Sequence, residues 1–233
     1  MAGGILNNLI NIIYPAQCLV CKNPLAPQVI VCQDCLKQIE KNLPPFCPRC
    51  GRNFKNNKCL HCGSLNFYFN RAWSACSYTR TSRELIHLLK YKGKTKVVKI
   101  LTKILINFIR NFHLPMNKIE VITPIPLYRA RLREREFNQA ELLSKSLAEE
   151  FKIRHSSQNL IRRLNNTAQA KLNADLRFKN IHGAFAIKNR DEFHKKSVLL
   201  IDDVLTTGAT CSEAAGVLKE AGAKDVFVLT FAS

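Results

Sequence analysis

Acidic residues are scarce in this chain of 233 amino acids. It has 17 Asp and Glu against 36 Lys and Arg, which gives a formal net charge of +19. Most basic excess on proteins is solvated surface, but an excess of this size favours a polyanionic partner, nucleic acid before a membrane surface. Net charge alone does not separate these two partners.

Long apolar runs are also missing. No run approaches the roughly 18 apolar residues that a membrane-spanning helix needs, so membrane insertion is not expected. The apolar segment 5–14 is short and contains three asparagines, and no basic residue precedes Lys22, which differs from a secretory signal. The segment is predicted to form an amphipathic turn or two. We expect a reduced, soluble, cytoplasmic protein.

A third absence is a complete P-loop for nucleotide phosphates. Gly93-Lys94-Thr95 matches the end of the motif GxxxxGK[ST]. The glycine that the motif requires five residues earlier falls at position 88, which is Leu88. An ATPase, in which an apolar strand ending in acids would serve as a Walker B strand, is therefore excluded.

Cysteine, by contrast, is abundant and ordered. Eight of the ten cysteines form four C-x-x-C pairs, and only Cys76 and Cys211 stand apart. Each pair can form a knuckle with two thiolates directed at one metal, and two knuckles close a tetrahedral site. The spacing predicts two structural zinc ions, with the ligands Cys18, Cys21, Cys32, Cys35, Cys47, Cys50, Cys59 and Cys62.

The pairing of these knuckles is less constrained than their number. Sequential pairing, 18/21 with 32/35 and 47/50 with 59/62, closes short loops at low entropic cost. Four knuckles can be paired in three ways, so an interleaved arrangement stays open. His61 is interpreted as a bystander. A segment of about 50 residues with so little core is predicted to fold only with metal.

The stretch Val198–Thr210, reading VLLIDDVLTTGAT, organises the rest of the chain. Its four leading apolar residues predict a strand buried on both faces of a parallel sheet, and two carboxylates follow at once. A loop of small and hydroxyl-bearing residues then precedes a helical pattern at 212–221. Loop amides and a helix N-terminus suit a phosphate, and the acids suit ribose hydroxyls. An ordinary strand followed by a capped helix is the alternative interpretation, but it does not require this spacing.

The flanking segments predict an α/β domain. Aromatic residues at 67–78 fit strands, segments 83–90 and 97–111 fit helices, and 120–125 fits a buried strand. A helix ending near Phe151 and a last strand at 226–231 complete the pattern. The order predicts a mostly parallel sheet with right-handed crossovers.

The central stretch resembles the 5-phosphoribosyl-1-pyrophosphate (PRPP) signature of type I phosphoribosyltransferases. From about Cys18 onward, the chain is similar to the ComF family of competence-associated, phosphoribosyltransferase-like proteins. The pattern PxPxxxxRxRxRxFNQ of that family is closely similar to the stretch from Pro124 to Gln139, and R…T..Q..L….R..N..GAF ends at Gly183-Ala184-Phe185. The resemblance implies a type I phosphoribosyltransferase-like sheet at 67–233, preceded by a double zinc ribbon within 1–66.

The same resemblance implies a site for PRPP with Mg²⁺. Asp202 and Asp203 would orient the ribose as the catalytic acids, and Lys92 and Gly93, with Lys90 nearby, would hold pyrophosphate. Residues 162–185 would form a hood over the ligand. The full PRPP-binding set is Asp202, Asp203, Val204, Leu205, Thr206, Thr207, Gly208, Ala209, Thr210, Lys92 and Gly93.

Two functions remain in view from the sequence. The first is a PRPP-binding protein of DNA uptake in natural transformation, which binds single-stranded DNA or a helicase or other competence protein. The alternating arginines Arg129, Arg131, Arg133 and Arg135 are its predicted anion-binding residues. The alternative is an active phosphoribosyltransferase on an unknown acceptor, without direct DNA binding.

Overall fold

The computed structural model describes residues 16–52, 54, 59, 61–63, 65–165 and 174–233. The amphipathic turns predicted at 5–14 lie outside the described residues. So do positions 166–173 of the predicted hood, among them Thr167, Gln169 and Leu172.

A five-stranded parallel sheet forms the centre of the molecule. Its order is β1-β7-β6-β2-β3, and a separate antiparallel pair joins β4 to β5. This arrangement confirms the predicted mostly parallel sheet. The strands are β1 Arg71–Cys76, β2 Val121–Pro124, β3 Arg154–His155, β4 Leu160–Arg162, β5 Phe185–Ile187, β6 Ser197–Val204 and β7 Asp225–Ala232.

Seven described helices surround the strands. They are α1 Gln33–Lys37, α2 Arg80–Lys92, α3 Val97–Asn111, α4 Arg129–Arg135, α5 Gln139–Phe151, α6 Ala174–Ile181 and α7 Ala209–Glu220. Short 3₁₀ turns lie at Met116–Lys118 and Arg190–Glu192. None of these described helices has the length and apolar character to cross a membrane.

The central strand is longer than its apolar run. The strand predicted to end in two acids does include them: β6 continues to Val204, because Asp202 pairs with Thr230 and Val204 with Ala232 of β7. The acids therefore belong to the regular pleat. Successive side chains in a strand point to opposite faces, so Asp202 and Asp203 are directed to different sides of the sheet.

Each face of β6 packs on its own helices. Leu199 and Ile201 share a core with α2, α3 and α5, whereas Val198 and Leu200 share one with α7. Burial on both faces explains why the run is continuously apolar. By the same alternation, Asp203 lies on the α2–α3 face and Asp202 on the α7 face.

The N-terminal ribbon segment packs directly on the sheet domain. The Phe46 ring makes edge contacts with Phe108 of α3 and with Phe112, the C-cap of that helix, with centroids 5.7 and 5.1 Å apart. The Asn42 side chain donates a hydrogen bond to the carbonyl of Ser74 in β1, at 2.9 Å. The ribbons thus share core contacts with the second domain, and the boundary at 66/67 remains a prediction.

Candidate functional site

Two clusters of four cysteines lie in the ribbon segment, and each has the geometry of a zinc site. Within each cluster the four sulfurs lie within 4.8 Å of one another. The first site contains Cys18, Cys21, Cys32 and Cys35, and the second contains Cys47, Cys50, Cys59 and Cys62. Sequential pairing is therefore confirmed, and the interleaved alternative is not what the chain adopts.

Sulfur separations test the fit to zinc. The Sγ–Sγ distances are 3.8 Å for Cys18–Cys35 and 3.7 Å for Cys47–Cys62. A zinc–sulfur bond of about 2.3 Å in a tetrahedron places two sulfurs roughly 3.8 Å apart. The observed spacing matches, so both sets fit a tetrahedral Zn²⁺ ion that would hold the knuckles together.

Asp203 is the acid on the α2–α3 face at the end of β6. The residue is only 6% exposed, and its Oδ2 atom forms an ion pair with the Nζ atom of Lys90. The Lys90 side chain is 22% exposed, so the pair opens to solvent from the lysine side. Lys90 lies in the last turn of α2, which brings this helix to the carboxyl end of the sheet.

Asp202 occupies the opposite face and has different neighbours. Its Oδ1 atom accepts a hydrogen bond from the backbone N–H of Asp203 at 2.8 Å. The Cys211 Sγ atom in the first turn of α7 lies 3.9 Å from Asp202 Oδ2. Asp202 thus contacts the start of the helix that follows the loop and stays partly exposed.

Burial and neighbouring charges shift the pKa of Asp202, Lys90 and Cys211. Burial, helped by the charge of Asp203, raises the pKa of Asp202 to about 7. Burial disfavours the charged form of Lys90, but the Asp203 carboxylate outweighs it and raises the Lys90 pKa. Burial, with the charges of both acids, raises the pKa of Cys211 well above its usual value. The cysteine is therefore a thiol, and Asp202 titrates near neutral pH.

Residues 205–210, here called the phosphate loop, connect β6 to α7. Gly208 has φ +84°, in the left-handed region, and caps α7. A Cβ atom at Gly208 would lie 2.8 Å from Cε1 of Phe67, so the position needs glycine on two grounds. The first N–H groups of a helix lack intrahelical partners, and the N-terminus of α7 can therefore receive an anion.

The predicted pyrophosphate residues, Lys92 and Gly93, end α2. Gly93 adopts φ +59° as the left-handed C-cap, and Lys92 is exposed in a cleft that also contains Lys90. Lys90, one half-turn earlier, is the lysine that reaches the acids. The structure thus places all three residues near the same end of α2, and of these three it is Lys90 that contacts Asp203 directly.

The four alternating arginines fall on the short helix α4, and helical periodicity divides them. Arg129 and Arg133 are exposed, whereas Arg131 and Arg135 are partly buried. The Arg135 guanidinium lies over the Tyr91 ring at 5.0 Å, and its positive charge acts to lower the pKa of Lys90. Arg131 interacts electrostatically with Arg162. The four arginines therefore lie on two sides of α4, one exposed and one partly buried, and do not form a single row.

A cleft of about 450 Å³ lies between the segment after β2 and the antiparallel β4–β5 pair. Arg129, Arg162, Arg163 and Lys188 contribute cationic side chains to its lining, and Glu141 contributes an acid. Arg162 also interacts electrostatically with Asp202 and lies over the Phe185 ring at 5.6 Å. The charge of Arg162 therefore acts on Asp202 from the lining of this cleft.

Arg52 was not recognised from the sequence. It follows the knuckle Cys47–Cys50, and its guanidinium donates hydrogen bonds to the carbonyl oxygens of Leu205 and Thr206. These partners are 153 and 154 residues away along the chain, and no spacing rule connects them. A lone arginine beside a cysteine knuckle carries no signal for such a contact.

The sheet and the paired cysteine sites define the class of this protein. It has an α/β domain with a parallel central sheet, preceded by a double zinc-ribbon segment. Residues 9–66 match the family model described as "Double zinc ribbon domain". Among solved structures, the purine phosphoribosyltransferase from Pyrococcus horikoshii Ot3 is similar over 58% of this chain and 83% of that one, at 15% identity and a TM-score of 0.35.

Curated relatives cover nearly the whole chain. Competence protein F of Haemophilus influenzae is 30% identical over 210 residues, which are 85% of this chain and 88% of the relative. Competence protein ComFC of Bacillus subtilis is 31% identical, over 95% of this chain and 93% of the relative. The chain belongs to the ComF family.

Proposed function

We propose that this protein binds PRPP and acts in DNA uptake during natural transformation, in the cytoplasm. The observation that carries the proposal is the meeting of Asp202, Asp203, Lys90 and the phosphate loop at one edge of the sheet. Ligands of α/β sheets bind outside the carboxyl ends of the strands, which is where these groups lie.

Each part of PRPP has a matching group. The 5-phosphate would bind the phosphate loop and the N-terminus of α7, where backbone N–H groups favour anions. The ribose hydroxyls would donate hydrogen bonds to Asp202 and Asp203. Pyrophosphate would lie toward the cationic end of α2, with Lys92 and Gly93. Its oxygens and the carboxylates suit Mg²⁺, which prefers oxygen ligands.

Calorimetric titration with PRPP and Mg²⁺ tests this site. The double variant Asp202→Asn, Asp203→Asn should lose affinity by at least ~1–3 kcal/mol, the scale of hydrogen bonds to charged groups. Asp191→Asn, at an exposed acid of a 3₁₀ turn, is the matched control and should bind as wild type. Unchanged affinity in a folded double variant would remove the acids from the site.

Single-stranded DNA binding is the second element of the proposal. The net charge of +19 and nine Lys and Arg between Arg80 and Arg110, with one acid, supply the cationic surface. Exposed arginines on α4 and the exposed Tyr91 and Tyr78 rings add guanidinium and aromatic groups. Phosphates and stacked bases are bound by this combination without strong sequence preference.

Salt dependence distinguishes this surface from general basicity. Affinity for an oligonucleotide should fall with salt, with a log–log slope of roughly −0.7 per phosphate engaged. Changing Arg129, Arg131, Arg133 and Arg135 together to Gln should flatten the slope. The control changes four exposed lysines elsewhere, Lys37, Lys118, Lys145 and Lys179, and should alter it less. Absence of binding at roughly 50 mM salt would redirect the surface to a protein partner, a helicase or other competence protein.

Turnover is the alternative function, and the cleft beside Arg162 favours it. A cavity of about 450 Å³ lined in part by Arg162 has room for an acceptor of a ribose 5-phosphate group. Pyrophosphate release from PRPP and Mg²⁺, measured with and without candidate acceptors, tests it. Release that needs both the acceptor and the acids would establish an enzyme, whereas PRPP binding without release would assign a ligand-binding role.

A further inference from the structure

The second zinc site lies against the phosphate loop. Gly51 follows its first knuckle with φ +70°, and a Cβ there would lie 2.2 Å from the carbonyl oxygen of Ala72 in β1. The ribbon backbone therefore approaches the edge strand as closely as glycine allows. This approach directs the next residue, Arg52, across the end of the sheet to the loop.

Arg52 has anionic groups on one side and carbonyl oxygens on the other. Its backbone carbonyl accepts a hydrogen bond from the N–H of Cys47 at 2.7 Å, which joins the residue directly to the second site. Four thiolates around one Zn²⁺ carry a net charge of −2, so the loaded site would hold the cation in place. On the far side, the guanidinium donates to Leu205 and Thr206. Hydrogen bonds from a charged donor are stronger than neutral ones.

The chain leaving the second site makes further contacts with the loop and α7. The Phe67 ring packs on Gly208, and the N–H of Tyr68 donates to Ser212 Oγ at 3.0 Å. The Arg49 guanidinium lies over the Phe67 ring at 5.6 Å. Both ends of the loop, its carbonyls and its glycine, are thus held by residues next to the second site. The first site has no such contact among the described residues.

We propose that Arg52 is a positioning residue through which the second zinc site holds the phosphate loop in its binding conformation. This rests on the proposed PRPP function for its consequence, but not for its structural content. Two carbonyl oxygens fixed by one planar donor orient the following peptide units, whose N–H groups would face the 5-phosphate. Loss of the second zinc ion should therefore loosen the loop and weaken the phosphate site.

Amide hydrogen exchange of the zinc-loaded full chain tests the structural content without any ligand. Arg52→Gln should speed exchange in residues 205–210 at least tenfold while two zinc ions per chain are retained. Lys22→Gln is the matched control, because Lys22 follows a knuckle of the first site and donates to the Leu19 carbonyl at 3.0 Å. It should leave loop exchange unchanged. Unchanged exchange in Arg52→Gln would overturn the proposal.

A second pair of variants covers the case in which Arg52→Gln disturbs the ribbon. Cys59→Ser removes a ligand of the second site, and Cys21→Ser removes one of the first. Loop exchange should rise in the former and stay near wild type in the latter. Equal loosening in both would mean that the loop follows general ribbon stability, which contradicts a role specific to Arg52.

PRPP titration then separates this inference from the proposed function. If wild type binds PRPP, Arg52→Gln should bind it roughly 5–150-fold more weakly, the range of typical coupling between sites. Wild-type affinity in Arg52→Gln would refute the positioning role and leave the PRPP site intact. Absence of PRPP binding by wild type would refute the proposed function, and the exchange experiment would still decide the role of Arg52.

Discussion

The ion pair between Lys90 and Asp203 offers a direct test of the site's electrostatics. Replacing Lys90 by Met keeps an unbranched chain of similar length and removes the ammonium. Asp203 is then a carboxylate with 9% side-chain exposure and no cation on its Oδ2 atom. The reciprocal change, Asp203→Asn, leaves the ammonium facing a neutral amide, and the double variant removes both charges.

The burial of the ion pair sets how much unfolding free energy each variant should lose. Breaking a buried ion pair from one side typically costs about 3–5 kcal/mol of the free energy of unfolding. The Lys90 side chain is 22% exposed, so water reaches the pair from one side and should reduce the cost. We expect Lys90→Met to lose about 2–3 kcal/mol, at or just below the lower limit of that range. The double variant should lose less than the sum of the single losses, with a coupling of about 1 kcal/mol or more.

The assay is urea unfolding of all four proteins at pH 7 with zinc present, so that the ribbons stay loaded. Zinc content measured beforehand excludes metal loss as the cause. A change below about 0.5 kcal/mol in Lys90→Met would refute the reasoning, because it is the value of an exposed pair. Losses that add in the double variant would equally show that the two side chains do not interact.

Three further predictions follow from the same geometry. Metal analysis of reduced protein should give two zinc ions per chain, and a strong chelator should unfold the ribbons; one zinc ion would contradict the two cysteine clusters. The pKa of Asp202 is about 7 in the fold against an ordinary 3.8, so native Asp202 retains a proton that the unfolded chain loses. Its contribution to stability therefore falls as pH rises from 4 to 7, and Asp202→Asn should become more stable relative to wild type over that range, with a constant difference as the contrary result. Gly208→Ala should lower stability by ~1 kcal/mol or more, since φ is +84° and Phe67 blocks the Cβ; an unchanged melting temperature would contradict this.

Local pattern predicted most of the secondary structure. The apolar run at 198–201 and the 97–111 helix were found where the sequence placed them, because burial on two faces and a 3.6-residue period each leave a repeated signature. The cysteine knuckles were equally predictable from the sequence, since the spacing of metal ligands is a short-range property. The predicted strand ending in two acids is β6, whose ladder with β7 continues through both acids to Val204.

Contacts within the candidate site were less accessible. Lys90, Lys92 and Gly93 were all recognised near the end of α2, but which lysine reaches Asp203 depends on how the helix is rotated on the sheet. We predicted the four alternating arginines as one anion-binding set. In the structure the helical turn of α4 divides them into an exposed pair and a partly buried pair. Both outcomes depend on orientation, which residue spacing does not encode.

By itself, the sequence determined the metal ligands, the central strand with its acids, and the glycine that the phosphate loop requires. These depend on neighbouring residues, where chain geometry limits the alternatives. Only the tertiary structure decided that Lys90 pairs with Asp203, that Cys211 lies against Asp202, and that Arg52 contacts the loop from the second zinc site. Arg52 and Leu205 are 153 residues apart, and such a contact exists only once the ribbon segment packs on the sheet domain near the carboxyl end of β6.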